Sequence, residues 1–156
     1  MPDFRPILFI LGVLLSTLAG AMCLPAVADA VSDNKDWQVF AVAAGFTAFV
    51  GGLFIFTART PINGINVRQA FLLTALAWII IPAFGALPMV FANLELSYTD
   101  AFFEAMSGLT TTGSTVIVGL EQVQPGILLW RALLQWLGGI GIIGMAIAIM
   151  PLLQVG

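Results

Sequence analysis

The residues with chemistry to offer stand between positions 93 and 131. The hexapeptide Thr110-Thr-Thr-Gly-Ser-Thr115 combines hydroxyls, backbone carbonyls and one glycine, with no charge. A cation stripped of its water needs several closely spaced oxygens. Successive carbonyls of an extended segment supply them, with threonine hydroxyls in addition. Gly113 permits the backbone angles that turn neighbouring carbonyls towards one axis. Glu104 stands upstream, and Arg131 downstream is the only charge inside an apolar run.

Other chemistries find no residues. The chain has no histidine, its single thiol (Cys23) lies in an apolar stretch, and no paired carboxylates fall within one. That argues against an enzyme, a cofactor, a zinc site or a disulfide framework. Five scattered basic residues and a net charge of −3 argue against nucleic-acid binding. Cys23 follows Gly20-Ala-Met, a poor lipidation context, and is expected to be a buried small residue.

The element that must position the hexapeptide is a membrane fold. Of 156 residues, 60% are hydrophobic and 8% charged, against about 25% charged in soluble domains. Mean hydropathy is +1.07. Ile7–Ala28, Trp37–Thr57, Ala70–Ala92 and Gly126–Leu153 are each long enough to span. The first could instead be a signal peptide, since Ala26-Val-Ala28 or Ala28-Asp-Ala30 offers a cleavage pattern. Its 22 apolar residues exceed the usual h-region of about 7–15, so a retained helix is expected. Pro25, Pro82 and Pro88 lie inside or near the ends of spans, where membrane helices tolerate kinks.

Between the third and fourth runs, Thr99–Leu109 predicts a helix rising only about 16 Å, against a hydrocarbon core of about 30 Å. Ser97-Tyr-Thr-Asp100 has the spacing of a helix start. Phe102, Phe103 and Met106 can pack against neighbouring helices. The negative end of this helix would point towards the membrane centre and favour a cation there. Helix, Thr/Gly segment and spanning helix together predict a re-entrant pore helix and filter loop. Irregular backbone at that depth is tolerated only in a protein-lined or water-filled site. The expected fold is all-α and integral to the membrane: four spanning helices plus this re-entrant segment.

Basic residues near span ends (Arg5, Arg59, Arg68) mark the cytoplasmic side. Both termini are then inside, and the connections 29–36 and 93–125 outside. Seven of eight acidic residues fall on the outer side or in the re-entrant segment. They either concentrate cations at an outer mouth or simply collect where basic residues are disfavoured. Arg131 either snorkels outward, with Gln135 one turn deeper on the same face, or braces the loop by pairing with Glu104. The chain divides into a hairpin, 1–65, with no polar residue that demands a role, and a helix–loop–helix unit, 66–156. It ends on an apolar stretch without a polar tail and is expected to be cut short. Gly139-Ile-Gly-Ile-Ile-Gly144 matches a dinucleotide motif literally but lacks the strand and the later acid, so close helix packing is its expected role.

Two segments, Phe102-Phe-Glu-Ala-Met-Ser-Gly-Leu-Thr-Thr-Thr-Gly-Ser-Thr-Val-Ile117 and Leu129-Trp-Arg-Ala-Leu-Leu-Gln-Trp-Leu-Gly-Gly-Ile-Gly-Ile-Ile143, resemble the TrkH family. These are membrane subunits of bacterial potassium uptake systems in the Trk/Ktr/HKT superfamily. The resemblance implies an N-terminal hairpin, then the first of four helix–loop–helix repeats around one pore. It implies that Gly113 is a filter glycine and that potassium meets the backbone carbonyls of Thr111 and Thr112, with Gly113 and Ser114 beside them. Glu104 and Arg131 would support the loop. It further implies the bacterial cytoplasmic (inner) membrane, a homodimer of the full-length chain, and a cytosolic nucleotide-binding regulatory subunit. Membrane lipid is the remaining partner, and the potassium ion is cargo rather than cofactor. Two other readings stay open. One is a small non-conducting helical membrane protein whose loop serves assembly, and the other is a homotetramer of the short chain.

Overall fold

A computed structural model of the protein describes residues 4–58 and 65–149. The described elements are α1 (Arg5–Val31), α2 (Trp37–Thr57), α3 (Val67–Gly85), α4 (Leu87–Phe91), α5 (Tyr98–Leu109), a 3₁₀ turn (Leu120–Gln122) and α6 (Pro125–Ile149). No strand occurs among the described residues. Among the described residues, four stretches are long and apolar enough to cross a membrane: α1, α2, α3 with α4, and Pro125–Gly144 of α6. Arg59 and the expected end of the fourth span, at Leu153, lie outside the described residues.

The first span is longer than its apolar run. α1 continues through Asp29 to Val31, so it contains a carboxylate where a loop was expected. α1 and α2 form an antiparallel hairpin whose backbones almost touch at Gly12 and Gly51. A Cβ on Gly12 would stand 2.7 Å from the Gly51 carbonyl oxygen, and small residues permit this approach between membrane helices. Cys23, expected to be buried, is exposed, because α1 turns Leu15, Leu18, Met22 and Pro25 inward instead.

α3 begins at a capping box, in which Asn66 and Gln69 each bond the other's backbone amide. Pro82 sits inside α3 without ending it, and the helix breaks ahead of Pro88. There the Met89 amide bonds the Ala86 carbonyl rather than that of Gly85. Two side chains take up freed carbonyls. Trp130 Nε1 donates to Gly85 O at 2.9 Å, and the Tyr98 hydroxyl donates to Ala83 O at 3.2 Å. The break is thus braced by the helices on either side of the loop.

One apolar core joins α1, α2, α4, α5 and α6, with Leu15, Met22, Phe40, Met89, Ile127, Trp130 and Leu134 fully buried. Phe40 meets Trp130 edge to face, ring centres 6.2 Å apart. α1 also packs on α3 and α6, so the hairpin and the loop-bearing unit share a core.

Candidate ion-coordinating loop

α5 starts with a second capping box. Ser97 Oγ accepts the Asp100 amide, and the Asp100 carboxylate accepts the Ser97 amide and hydroxyl. Its buried face is made of small residues (Ala101, Ala105, Ser107) with Glu104 and Leu109. Phe102 packs on the core, but Phe103, expected to pack as well, is 44% exposed. Bulk would hold α5 away from α6. Where Gly108 faces Leu134, a Cβ would already come within 3.1 Å of the leucine Cβ.

The contact that sets the depth of α5 is at its far end. A Cβ on Gly138 would run into the backbone of Leu109. Gly138 is thirteen residues into α6, about 20 Å along its axis. The chain then returns to Pro125 at the start of α6, so the segment enters and leaves at one end. The close-packing glycine is therefore Gly138, one residue before the hexapeptide expected to supply it. Gly141 and Gly144 meet nothing within 4 Å in this chain. Gly138→Val should lower the melting temperature of the detergent-extracted protein markedly, because the added carbons meet backbone that cannot yield. Overpacking costs about 1–3 kcal/mol or more. Gly139→Val, whose Cβ would stand 3.9 Å from Thr111 Cγ2, should be the milder change. Equal melting for the two variants would rule the contact out as a determinant of depth.

The loop itself begins as a Schellman cap rather than as extended chain. Thr112 N donates to Ser107 O at 3.0 Å and Thr111 N to Gly108 O at 2.9 Å. The left-handed residue of that motif is usually glycine, but here it is Thr111, at φ 56°. A β-branched residue with positive φ is an outlier that the surroundings must enforce. Thr110 Oγ1 bonds back to Met106 O at 2.9 Å and touches Thr112 Oγ1 at 2.8 Å. Gly113 follows at φ 77°, and a Cβ there would meet nothing within 4 Å. Conformation, not space, is what requires glycine at this position.

Beyond Gly113 the chain is tied down. Ser107 Oγ donates to Ser114 O at 2.7 Å. Glu104 is buried and accepts three bonds. Thr115 Oγ1 and the Val116 amide each donate to Oε1 at 2.6 Å, and Arg131 Nε donates to Oε2 at 2.9 Å. With the Glu104 side chain 0% and Arg131 17% exposed, this is a charge-assisted bond in a dry setting. Gln135 is exposed and takes no part in the pair. Among the described residues, no hydrogen bond reaches the carbonyl oxygens of Thr111, Thr112 and Gly113. The loop therefore leaves these three carbonyls unbonded on exposed residues, while Ser114 O, the Thr115 hydroxyl and the Val116 amide are held by α5. That arrangement can receive a cation.

The fold and this loop define a class: a multi-pass helical membrane protein carrying a loop that dips between two spanning helices. The sequence model of the TrkH family, described as a cation transport protein, matches residues 37–156. The chain is 43% identical to the Trk system potassium uptake protein TrkH of Halomonas elongata, over 99% of this chain and 32% of that protein. It is 38% identical to the protein of the same name from Escherichia coli K12, over 98% of this chain and 32% of that protein. The crystal structure of the potassium transporter TrkH from Vibrio parahaemolyticus matches with a TM-score of 0.93 at 39% identity, covering 99% of this chain and 33% of that one. The chain belongs to the TrkH family, and with such bacterial relatives its place is the bacterial inner membrane. It spans about a third of the length of these relatives.

Proposed function

We propose that this chain takes part in potassium transport across the membrane and contributes one quarter of a carbonyl-lined filter. The observation that carries the reading is the set of three free carbonyls, Thr111 to Gly113, presented at the negative end of α5. Ser114 would contribute less, because its carbonyl is occupied by Ser107. Three further copies of the unit 66–156, on the same polypeptide or on others, would close the ring. The hairpin 1–65 would lie outside it. Glu104 and Arg131 hold the strand that leaves the loop and do not meet the ion. The relatives are named as potassium uptake proteins of the Trk system, which supports potassium as cargo. A homodimer of the full-length chain and a cytosolic nucleotide-binding regulatory subunit belong to the same reading.

The test is uptake by the full-length protein in a bacterial strain deprived of its own potassium uptake systems. Growth at low potassium and accumulation of potassium over sodium are expected. Membrane-inserted protein that moves neither ion would overturn the reading.

A further inference from the structure

Asp29 is the most deeply buried carboxylate that the loop does not account for. It lies in the last turn of α1, where that helix's own dipole disfavours a carboxylate, and it is 0% exposed. Its Oδ1 accepts the Gly126 amide at 2.8 Å, across 97 residues of sequence. That amide belongs to the first turn of α6, where N–H groups lack intrahelical partners and negative charge is favoured. A Cβ on Gly126 would collide with the Asp29 carboxylate and have to displace it. The carboxylate is misplaced on its own helix and well placed on another.

The Gly126 bond and the nearby Asn34 side chain favour the carboxylate, but its Oδ2 is buried without a well-formed hydrogen bond, and so is Oδ2 of Asp36 across the turn. The two carboxylates repel one another. A buried charge with an unpaired oxygen costs more than an apolar replacement would. What the bond does fix is the starting point of α6. Five residues further along, Arg131 holds Glu104, and Glu104 holds Thr115 and Val116 on the strand that leaves the loop.

We propose that Asp29 is a positioning residue for the loop. By accepting the Gly126 amide it sets the axial position of α6, and through Arg131 and Glu104 it sets the strand beyond Gly113. This rests on the loop being the ion filter. The hairpin thereby tunes ion preference without approaching the ion.

The experiment measures potassium and sodium uptake per inserted copy of the full-length protein carrying Asp29→Asn, Asp29→Ala or Gly126→Ala. Asp29→Asn keeps an oxygen for the Gly126 amide and should retain the wild-type preference. Asp29→Ala removes the acceptor, Gly126→Ala displaces it, and each should lower the preference by about 2- to 30-fold, the range of remote coupling. Where these two fail to accumulate, Asp29→Glu decides, because it keeps the charge and lengthens the tether. It should show the same loss. Less protein with an unchanged potassium-to-sodium ratio would make Asp29 merely structural and overturn the inference. A wild-type protein without preference, or an unchanged ratio in Gly113→Ser, would instead overturn the filter reading.

Discussion

Gly113→Ser is expected to reach the membrane yet to lose about tenfold of its preference for potassium over sodium, a difference of about 1.4 kcal/mol. The added Cβ meets no atom within 4 Å, so folding has no steric reason to fail. It does meet the backbone penalty of φ 77°, about 1–2 kcal/mol for an L residue. The loop already bears one such penalty at Thr111. A second lets the chain relax out of the conformation that presents the Thr112 and Gly113 carbonyls, and a dehydrated ion then loses oxygens. Thr112→Val removes a hydroxyl and keeps the carbonyl, so it should be milder. Uptake of both ions, normalised to inserted protein, provides the comparison. An unchanged ratio in Gly113→Ser means the loop does not select the ion.

Removing either member of the Glu104–Arg131 pair should have the largest effect on folded yield. Arg131→Ala leaves a carboxylate with a fully buried side chain without its counter-charge, a loss of about 3–5 kcal/mol. Glu104→Ala strands Arg131 and also frees Thr115 and the Val116 amide. The double variant should be little worse than Glu104→Ala alone. Coupling of about 0.5–3 kcal/mol is expected from a cycle of unfolding measurements on detergent-extracted protein. Strictly additive losses would reject the pair as a stabilising unit.

Much of this arrangement is legible in the chain because it is local. Ser97 and Asp100 announce the start of α5 three residues apart, and α2 is bounded by Trp37 and Thr57 as its apolar run predicts. Arg131 is legible in another way: a lone charge in an apolar run has few places to go, and Glu104 is one of them. The contacts that local pattern cannot show are the distant ones. Asp29 looks like a loop acid because its partner is 97 residues away and is a backbone amide. Trp130 looks like one more apolar residue until the break before Pro88 leaves the Gly85 carbonyl for it. Gly138 is one of several glycines in its run, and only the position of Leu109 singles it out. Thr111 reads as part of an extended segment, and the cap at the end of α5 puts it in the left-handed region instead.

Glu104 and Arg131 are separated by 27 residues, which a ribosome adds in roughly 1–5 s at 5–20 residues per second. For that interval the carboxylate exists without the base that makes its burial affordable. Trp130, which braces the break before α5, arrives only one residue earlier than Arg131. The short helix therefore has no settled place when it is made. It should stay hydrated until the last spanning helix is made and then fold inward against it, so that the loop is completed only after that helix is in place. A polypeptide halted between Leu109 and Arg131 should hold Ser107 and Thr112 open to solvent.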